Sequence, residues 1–361
     1  MRGRYRLWCT TACATFIALS GSVGSATVPS RLRPAAVTGL QCPSRTLCVG
    51  IGVTGANLVT TRAPHSGHGN WVAETIDEGR PLRLLTCASV RWCIAVDQQN
   101  RVLVSTDLRR GAASWQLAPH GPGRHLGNVG ELSCPSPRLC VGVAGHYVIT
   151  SVRPWHGGTA WRQALVNAHA WEQSVDCPTT TRCVAVSDDR QVLTTTDPIG
   201  RRAWITTRLK RGARPTRLQS VSCASATQCV VAAGDDHVFS TSNANAAHPV
   251  WHDARLGPSD VGSVRLSLTV SCTSADVCAA AGNNGLIWAS SVPGLSGQRT
   301  WKRVAVDHGI ATREYAPASI ACAPAGLCVA VEPDGHVLSA NAILRPGAWR
   351  QQTIAEPPPT T

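Results

Sequence analysis

The feature that most constrains this chain is a pair of cysteines, six residues apart, that occurs seven times. The pairs are Cys42/Cys48, Cys87/Cys93, Cys134/Cys140, Cys177/Cys183, Cys223/Cys229, Cys272/Cys278 and Cys322/Cys328. A tryptophan follows each pair by about 22 residues, at Trp71, Trp115, Trp161, Trp204, Trp251, Trp301 and Trp349. Successive first cysteines are 43 to 50 residues apart. A period in this range is typical of stacked or radially repeated units.

Each repeat has the pattern of four short strands. The residue two before the first cysteine is apolar and the next is mostly small or polar, an alternation that predicts a strand. The turn-rich residues between the cysteines predict a hairpin, and a second strand follows whose central residue is Gly or Ala in every repeat except the fifth, which has Val231. That small residue predicts close approach of a neighbouring sheet. A third strand precedes a polar loop, and the tryptophan opens a fourth. An aliphatic residue stands five positions past it, except in the second repeat, which has His120.

Four strands in each of seven repeats predict an all-β, seven-bladed β-propeller, with four antiparallel strands and one disulfide in each blade. A β-helix is the alternative, but its shorter turns would not need four turn signals per repeat. We expect the propeller to span 37–355, with blades near 37–78, 79–121, 127–168, 170–210, 216–257, 264–307 and 316–355. The N-terminal segment 27–36 is a candidate to pair with blade 7, although two prolines weaken it as a strand. A Pro-rich tail covers 356–361.

Residues 1–26 have a basic start, an apolar stretch and small residues ending at Ala26, which predicts a secretory signal peptide. Ser22 stands where a lipoprotein needs cysteine, so we expect no lipid anchor, and no later apolar run is long enough to span a membrane. We therefore expect a secreted or envelope-associated protein. Removing the signal leaves fourteen cysteines, all within the seven pairs, and an even count in an exported chain predicts disulfides. Their spacing does not suit zinc, and we expect neither metal nor cofactor.

The chain is basic, with a net charge of +13. Its densest positive stretch contains no acidic residue and comprises Arg201, Arg202, Arg208, Lys210, Arg211, Arg214 and Arg217. One hypothesis is that this stretch binds an anionic envelope polymer, such as wall teichoic acid, an acidic polysaccharide or lipid headgroups. The alternative is a solvated outer edge strand that its charge protects from aggregation. Export makes nucleic acid a poor partner.

Acidic and amide residues recur in the turns between second and third strands. They are Asp97, Asp188, Asp189, Asp235, Asp236, Asn283, Asn284 and Asp334. These turns share one face of a propeller, so the residues could form a ring for cations or sugar hydroxyls. The alternative is turn chemistry, because Asp and Asn favour tight turns.

Two loops between third and fourth strands resemble the Asp-box repeat of sialidase-like (BNR) propellers. They are Ser105-Thr106-Asp107 with Gly111 and Trp115, and Thr196-Asp197 with Gly200 and Trp204. The run from Ser133 to Val143 resembles the signature of a group of exported actinobacterial seven-bladed propellers. That group is related to the Asp-box propellers and to the photosystem II assembly-factor-like (WD40/YVTN-like) propellers. The resemblance spans all seven repeats and implies the propeller fold.

For function, we expect a binding or scaffold propeller, a monomer without catalytic residues, that docks an anionic polymer or a protein partner. The resemblance implies two alternatives, a glycoside hydrolase or lyase of the Asp-box type and an assembly factor for a membrane complex. A sialidase would need three arginines, a tyrosine–glutamate pair and an acid that converge. The mature chain has only Tyr147 and Tyr315, and the side chains of adjacent Glu314 and Tyr315 would diverge in an extended segment. We expect the seven repeated tryptophans to pack between blades.

Overall fold

Seven separate four-stranded antiparallel sheets make up the fold. The computed structural model describes residues 37–52, 57–66, 71–77, 80–166, 170–200, 204–209, 217–234, 236–256, 267–273, 277–282, 285–291, 300–306, 319–324, 326–331, 336–345 and 347–353. The predicted signal peptide, the segment 27–36 and the tail 356–361 lie outside these residues. Each sheet is one predicted repeat, so the predicted seven-bladed β-propeller is confirmed.

The first four blades contain sixteen strands. Blade 1 consists of β1 (Val37–Ser44), β2 (Leu47–Gly52), β3 (Asn57–Thr61) and β4 (Trp71–Thr75). Blade 2 consists of β5 (Leu82–Ser89), β6 (Trp92–Asp97), β7 (Val102–Ser105) and β8 (Trp115–Leu117). Blade 3 consists of β9 (Glu131–Ser136), β10 (Leu139–Ala144), β11 (Tyr147–Ser151) and β12 (Arg162–Leu165). Blade 4 consists of β13 (Glu172–Thr179), β14 (Arg182–Ser187), β15 (Gln191–Thr195) and β16 (Ile205–Arg208).

The other three blades repeat this order. Blade 5 consists of β17 (Leu218–Cys223), β18 (Cys229–Ala233), β19 (His237–Thr241) and β20 (His252–Arg255). Blade 6 consists of β21 (Leu268–Cys272), β22 (Cys278–Gly282), β23 (Leu286–Ser290) and β24 (Lys302–Val306). Blade 7 consists of β25 (Ser319–Cys322), β26 (Cys328–Val331), β27 (His336–Ala340) and β28 (Arg350–Thr353). Short 3₁₀ helices lie at Leu108–Ser114, Leu126–Asn128, Pro154–His156 and Gly158–Ala160.

The second strand of every blade is buried along its whole length. A strand covered on both faces favours a nearly continuous apolar run, and this explains sequences such as Leu-Cys-Val-Gly-Val-Ala in β10. The covering faces come from the two neighbouring blades. Seven apolar cores result, and each joins one blade to the next around the ring.

Each repeated tryptophan lies in the core between its own blade and the preceding one. Trp161, for example, is 1% exposed and packs with Leu84, Ile94 and Val104 of blade 2. The same placement holds for Trp71, Trp115, Trp204, Trp251, Trp301 and Trp349. The prediction that these side chains pack between blades is confirmed. The tryptophan therefore recurs in the sequence because each interface between neighbouring blades contains one.

The ring closes by packing between blade 7 and blade 1. Val37 and Leu40 of β1 share an apolar core with Val329 of β26. The Leu40 N–H donates to the Ser319 hydroxyl of β25 at 3.2 Å. Within the described residues, all four strands of blade 1 and of blade 7 come from their own repeat. Closure therefore uses the same kind of interface as any other pair of blades.

The seven disulfides join the first two strands of each blade, as predicted: Cys42–Cys48, Cys87–Cys93, Cys134–Cys140, Cys177–Cys183, Cys223–Cys229, Cys272–Cys278 and Cys322–Cys328. In blades 2, 5, 6 and 7 the two cysteines are directly opposite each other in the strand pairing. A bridge across such a short hairpin gives about 2 kcal/mol in the chain-entropy model. The effect of each disulfide is local, because it links the innermost first strand to the buried second strand of the same blade.

The expected role of the small residue in the middle of the second strand is wrong for Gly50 and Gly142. A Cβ atom on Gly50 would lie 2.4 Å from Val37 Cγ1, and one on Gly142 would lie 2.6 Å from Leu132 Cδ2. Both atoms belong to the first strand of the same blade, not to a neighbouring sheet. The pairing of the first two strands shifts register at Gly50, and at both glycines a side chain of the first strand lies over the second strand.

Among the described residues, no helix combines the length and the apolar character needed to cross a bilayer.

Candidate functional site

The first strands of the seven blades surround a central cavity of about 750 Å³. All seven contribute to its wall, from Thr38 in blade 1 to Cys322 in blade 7. Many of the lining side chains carry hydroxyl or amide groups, and they include Gln41, Thr86, Ser133, Gln173, Gln219, Ser222, Ser271 and Ser319. These strands form the inner edge of each sheet, so their unpaired backbone groups face the cavity. The site is a polar chamber with donors and acceptors on all sides.

A belt of hydrogen bonds runs along this wall and joins successive blades from blade 3 round to blade 1. The residue before the first cysteine of one blade accepts the N–H of the first cysteine of the next. The pairs are Ser133 Oγ with Cys177 N at 3.0 Å, Asp176 Oδ2 with Cys223 N at 2.7 Å, Ser222 Oγ with Cys272 N at 3.0 Å, and Ser271 Oγ with Cys322 N at 2.8 Å. The polar member of the predicted strand alternation is therefore an inter-blade acceptor.

A second row of the belt lies two residues earlier. The residue three before the first cysteine accepts the N–H of the residue two before the next first cysteine. The pairs are Glu131 Oε2 with Val175 N at 3.2 Å, Ser174 Oγ with Val221 N at 3.0 Å, Ser220 Oγ with Val270 N at 3.3 Å, and Ser319 Oγ with Leu40 N at 3.2 Å. Both rows satisfy backbone donors of the innermost strands, which would otherwise face the cavity without a protein partner.

Two carboxyl groups, Glu131 and Asp176, stand at positions where three of the six other blades have serine. Burial raises the pKa of Glu131 to about 7, although hydrogen bonds from Ser174 and Val175 oppose the shift. Burial also raises the pKa of Asp176 to about 6, against hydrogen bonds from Cys223, Ser133 and Cys177. The nearby charge of Asp176 adds to the shift of Glu131. Both acids are already engaged in the belt, and their chemistry is that of structural acceptors.

Arg83 is the cation of the cavity wall on blade 2. Its guanidinium donates to the Val129 and Leu126 carbonyls and, at 3.1 Å, to Asn100 Oδ1. Burial lowers its pKa, and the negative charge of Asp97 opposes this shift. The side chain stays protonated at physiological pH. Arg83 ties blade 2 to the segment that leads into β9.

The structure describes only two residues of the predicted basic site. Arg208 ends β16, and its Nη2 lies 2.5 Å from Asp189 Oδ1. Both partners are well exposed, so this ion pair contributes little to stability. Arg217 is exposed just before β17. Arg201, Arg202, Lys210, Arg211 and Arg214 lie outside the described residues, so the polyanion site stays a prediction.

Two of the acidic turn residues, Asp97 and Asp188, accept backbone N–H groups of their own blade. Asp97 is fully buried, and its Oδ1 accepts the N–H groups of Gln99 and Arg101 at 2.8 Å each. Asp188 Oδ1 accepts the N–H of Trp171 at 3.0 Å. Asp235, Asn283, Asn284 and Asp334 lie outside the described residues. Within the part that the structure describes, no three His, Cys, Asp or Glu side chains are grouped to hold a metal ion. The contacts of these two aspartates are those of turn chemistry.

The two Asp-box-like loops also have a local structural role. Asp107 accepts the Arg109 N–H at 3.3 Å at the start of the 3₁₀ helix 108–114. Asp197 accepts the Gly200 N–H at 2.8 Å. Gly111 has a φ of 63°, and a Cβ there would lie 2.2 Å from Glu74 Oε1 of blade 1. The glycine in this loop therefore permits contact with the preceding blade.

Two aromatic features were not predicted from the sequence. Trp171, which is outside the repeat pattern, has 59% of its surface exposed. Its backbone is fixed by Asp188, since the Trp171 carbonyl accepts the Asp188 N–H at 3.0 Å and the Trp171 N–H donates to the carboxylate. His120 stacks on His156 with ring centroids 3.7 Å apart. His120 stands out in the sequence because it replaces the aliphatic residue of the other repeats. The sequence does not indicate that its stacking partner is His156, 36 residues later.

Closed packing, seven disulfides and a polar central chamber define a seven-bladed β-propeller of the WD40-like architecture. Among solved structures, YCF48 from Cyanidioschyzon merolae matches with a TM-score of 0.60 at 15% identity, over 86% of this chain and 97% of that one. A structure of YCF48 bound to D1 peptide matches with a TM-score of 0.56 at 15% identity, over 85% and 92%. The WD40 propeller domain of Doa1 matches with a TM-score of 0.58 at 10% identity, over 84% and 91%. At these low identities, the structural similarity shows the fold alone.

No protein-family model matches the chain, and no curated protein matches it in sequence.

Proposed function

We propose that this chain is an exported, non-catalytic binding propeller that holds an extended segment of a protein partner in its central cavity. The observation that carries the proposal is the cavity wall, where seven strands present hydroxyl, amide and backbone groups around about 750 Å³. A concave chamber with convergent polar groups is the default binding site of a protein. Its two acids, Glu131 and Asp176, accept structural hydrogen bonds, which favours binding over catalysis.

Two further observations support export and a protein ligand. Seven disulfides are typical of an oxidising compartment, which agrees with a signal peptide over residues 1–26. One similar propeller, YCF48, has been solved with D1 peptide bound. A peptide offers both donors and acceptors along its backbone, and so matches the mixed polar wall of the cavity.

The anionic envelope polymer is a second candidate ligand, and the basic stretch favours it. Arg208 and Arg217 are exposed at the two ends of the connection between blades 4 and 5. Such a polymer would bind at this outer connection through charge, whereas a peptide would bind in the cavity through hydrogen bonds. The two candidates therefore differ in the place of binding and in its dependence on salt.

The proposal is tested by selecting linear twelve-residue peptides on the oxidised mature chain and measuring their affinity by fluorescence anisotropy. Thr38 and Gln173 are exposed side chains that line the cavity on blades 1 and 4. A double variant, Thr38→Trp with Gln173→Trp, would obstruct the cavity. The matched control carries Gln116→Trp with Gln163→Trp, since these side chains are exposed on the outer strands β8 and β12.

We expect the selected peptides to bind the obstructed variant at least about tenfold more weakly, a loss of about 1.4 kcal/mol, and the control like the wild type. Equal affinity for all three proteins would place the binding outside the cavity and overturn the proposal. Failure to select any peptide, together with salt-sensitive binding of wall polymer, would favour the second candidate.

A further inference from the structure

The inner edge of the ring is covered unevenly. In blades 4, 5, 6 and 1, the N–H two residues before the first cysteine is capped by a side chain of the preceding blade. The capped donors are Val175, Val221, Val270 and Leu40, and the caps are Glu131, Ser174, Ser220 and Ser319. These N–H groups point away from the second strand, and the inner edge has no further strand to accept them. Without a cap, each one faces the cavity.

Blades 2 and 3 lack this cap for a reason visible in the residues. The capping position is Gly39 in blade 1 and Leu84 in blade 2. Gly39 has no side chain, and Leu84 is buried in the apolar core between blades 2 and 3. The corresponding donors are the N–H groups of Leu85 and Leu132, which line the cavity. Neither has a hydrogen-bond acceptor among the residues that the structure describes.

These two donors lie on adjacent blades and define an open sector, made of Leu85 and Leu132 with Gly39 and Leu84 beside them. Arg83, the residue next to Leu84, adds positive charge at the edge of the sector. The acidic side chains of the wall, Glu131 and Asp176, accept the N–H groups of Val175 and Cys223 in the next blade. The open sector thus offers two backbone donors to a ligand.

We infer that the open sector binds main-chain carbonyl groups of an extended peptide segment, through the N–H groups of Leu85 and Leu132. This inference rests on the proposed function and specifies how the peptide is recognised. An unpaired strand edge is a site where peptides add by backbone hydrogen bonds. In blades 1, 4, 5 and 6 the caps occupy the equivalent donors, so the peptide has a preferred side of the cavity.

The inference is tested by deleting single N–H groups without changing a side chain. Leu85 and Leu132 are replaced, separately and together, by the α-hydroxy acid analogue of leucine, which puts an ester where the amide was. The matched controls are the same exchange at Val175 and Val221, with the hydroxy analogue of valine, where the N–H is capped. The probe is the tightest peptide from the selection on the wild-type chain, and the thermal midpoint is measured beside its affinity.

We expect esters at positions 85 and 132 to weaken the peptide by about three- to tenfold each and to leave the midpoint unchanged. Esters at 175 and 221 should lower the midpoint and leave the affinity unchanged. Amide exchange gives a readout without peptide, because Leu85 and Leu132 should exchange faster than Val175 and Val221 until peptide is added.

Equal protection of all four amides would overturn the inference. The inference is also overturned if the obstructed variant loses affinity for the peptide while the ester variants at 85 and 132 keep it. That result leaves the proposed function standing. Loss of the proposed function is a different result, in which the obstructed variant binds peptide as well as the wild type.

Discussion

The Asp176 carboxylate accepts the backbone N–H of Cys223 at 2.7 Å and thereby joins blade 4 to blade 5. Ser133, Ser222 and Ser271 make the equivalent bond in three other blades. An acid at this position brings a charge into a half-buried wall that serine would leave neutral. Glu131, the other acid of the belt, lies near enough for the charge of Asp176 to raise its pKa further. The stability of this side of the ring should therefore depend on pH.

Glu131→Gln should stabilise the protein at pH 8 and have little effect at pH 4.5. The raised pKa means that the folded state binds the proton more tightly than the unfolded state. Protonation thus adds stability that is complete below the ordinary pKa and is lost as the pH rises through about 7. The neutral amide of glutamine removes this loss of stability at high pH. We expect the gain in the free energy of unfolding to be on the order of 2 kcal/mol, which raises the thermal midpoint by a few degrees.

The control for this experiment is Asp189→Asn, which removes a carboxylate from an exposed turn. Its effect on the midpoint should be small at both pH values. A Glu131→Gln midpoint that falls by the same amount at pH 4.5 and pH 8 would show that the acid is a favourable charged acceptor, contrary to this account.

Trp161→Ala should destabilise the protein by about 3–5 kcal/mol, because it empties the core between blades 2 and 3. Trp171→Ala is the matched control, since it makes the same change at a side chain that is 59% exposed. Its effect should stay within about 0.5 kcal/mol. Denaturant unfolding of the two oxidised variants measures both values. A small loss for Trp161→Ala would contradict the role of the repeated tryptophan at the blade interface.

The fold could be predicted because its signals recur in every repeat. Cysteine spacing, turn residues and the tryptophan are each local, and seven copies remove the ambiguity of any one strand. The fourth strand is expected to begin at the tryptophan; β4 and β8 begin at Trp71 and Trp115, and in the other five blades the strand begins one residue after the tryptophan. The disulfides needed no long-range information, since both cysteines lie in one hairpin.

The belt and the open sector could not be predicted because they depend on pairs in neighbouring blades. Ser174 and Val221, for example, are 47 residues apart, and a serine in a strand pattern reads simply as a polar position. Only the closed ring places one beside the other. For the same reason, the sequence could not predict that His120 stacks on His156 or that Trp171 is exposed.

The basic stretch should bind anionic wall polymer or anionic vesicles in a salt-sensitive manner if it is a site. Exposed charges act over a distance that salt shortens, so binding should fall sharply from low to physiological ionic strength. The test variant replaces four of its members with serine, namely Arg208, Lys210, Arg211 and Arg214. Binding is measured by co-sedimentation, and affinity should fall while the thermal midpoint stays unchanged.

Its control removes the same number of positive charges elsewhere, at Arg109, Arg110, Arg313 and Arg345. Equal losses for both variants would mean that net charge alone causes the attraction. No loss for either would leave the stretch as a solvated edge. A loss confined to the first variant is the result that a specific polyanion site predicts.

The most direct test of the central claim is photocrosslinking from inside the cavity. A benzoylphenylalanine in place of Thr38 faces the chamber, whereas one in place of Gln163 lies on the outer strand β12. The selected peptide is irradiated with each variant, and adducts are quantified by mass spectrometry. The account predicts an adduct from position 38 that unlabelled peptide abolishes, and none from position 163. An adduct from position 163 alone would contradict it.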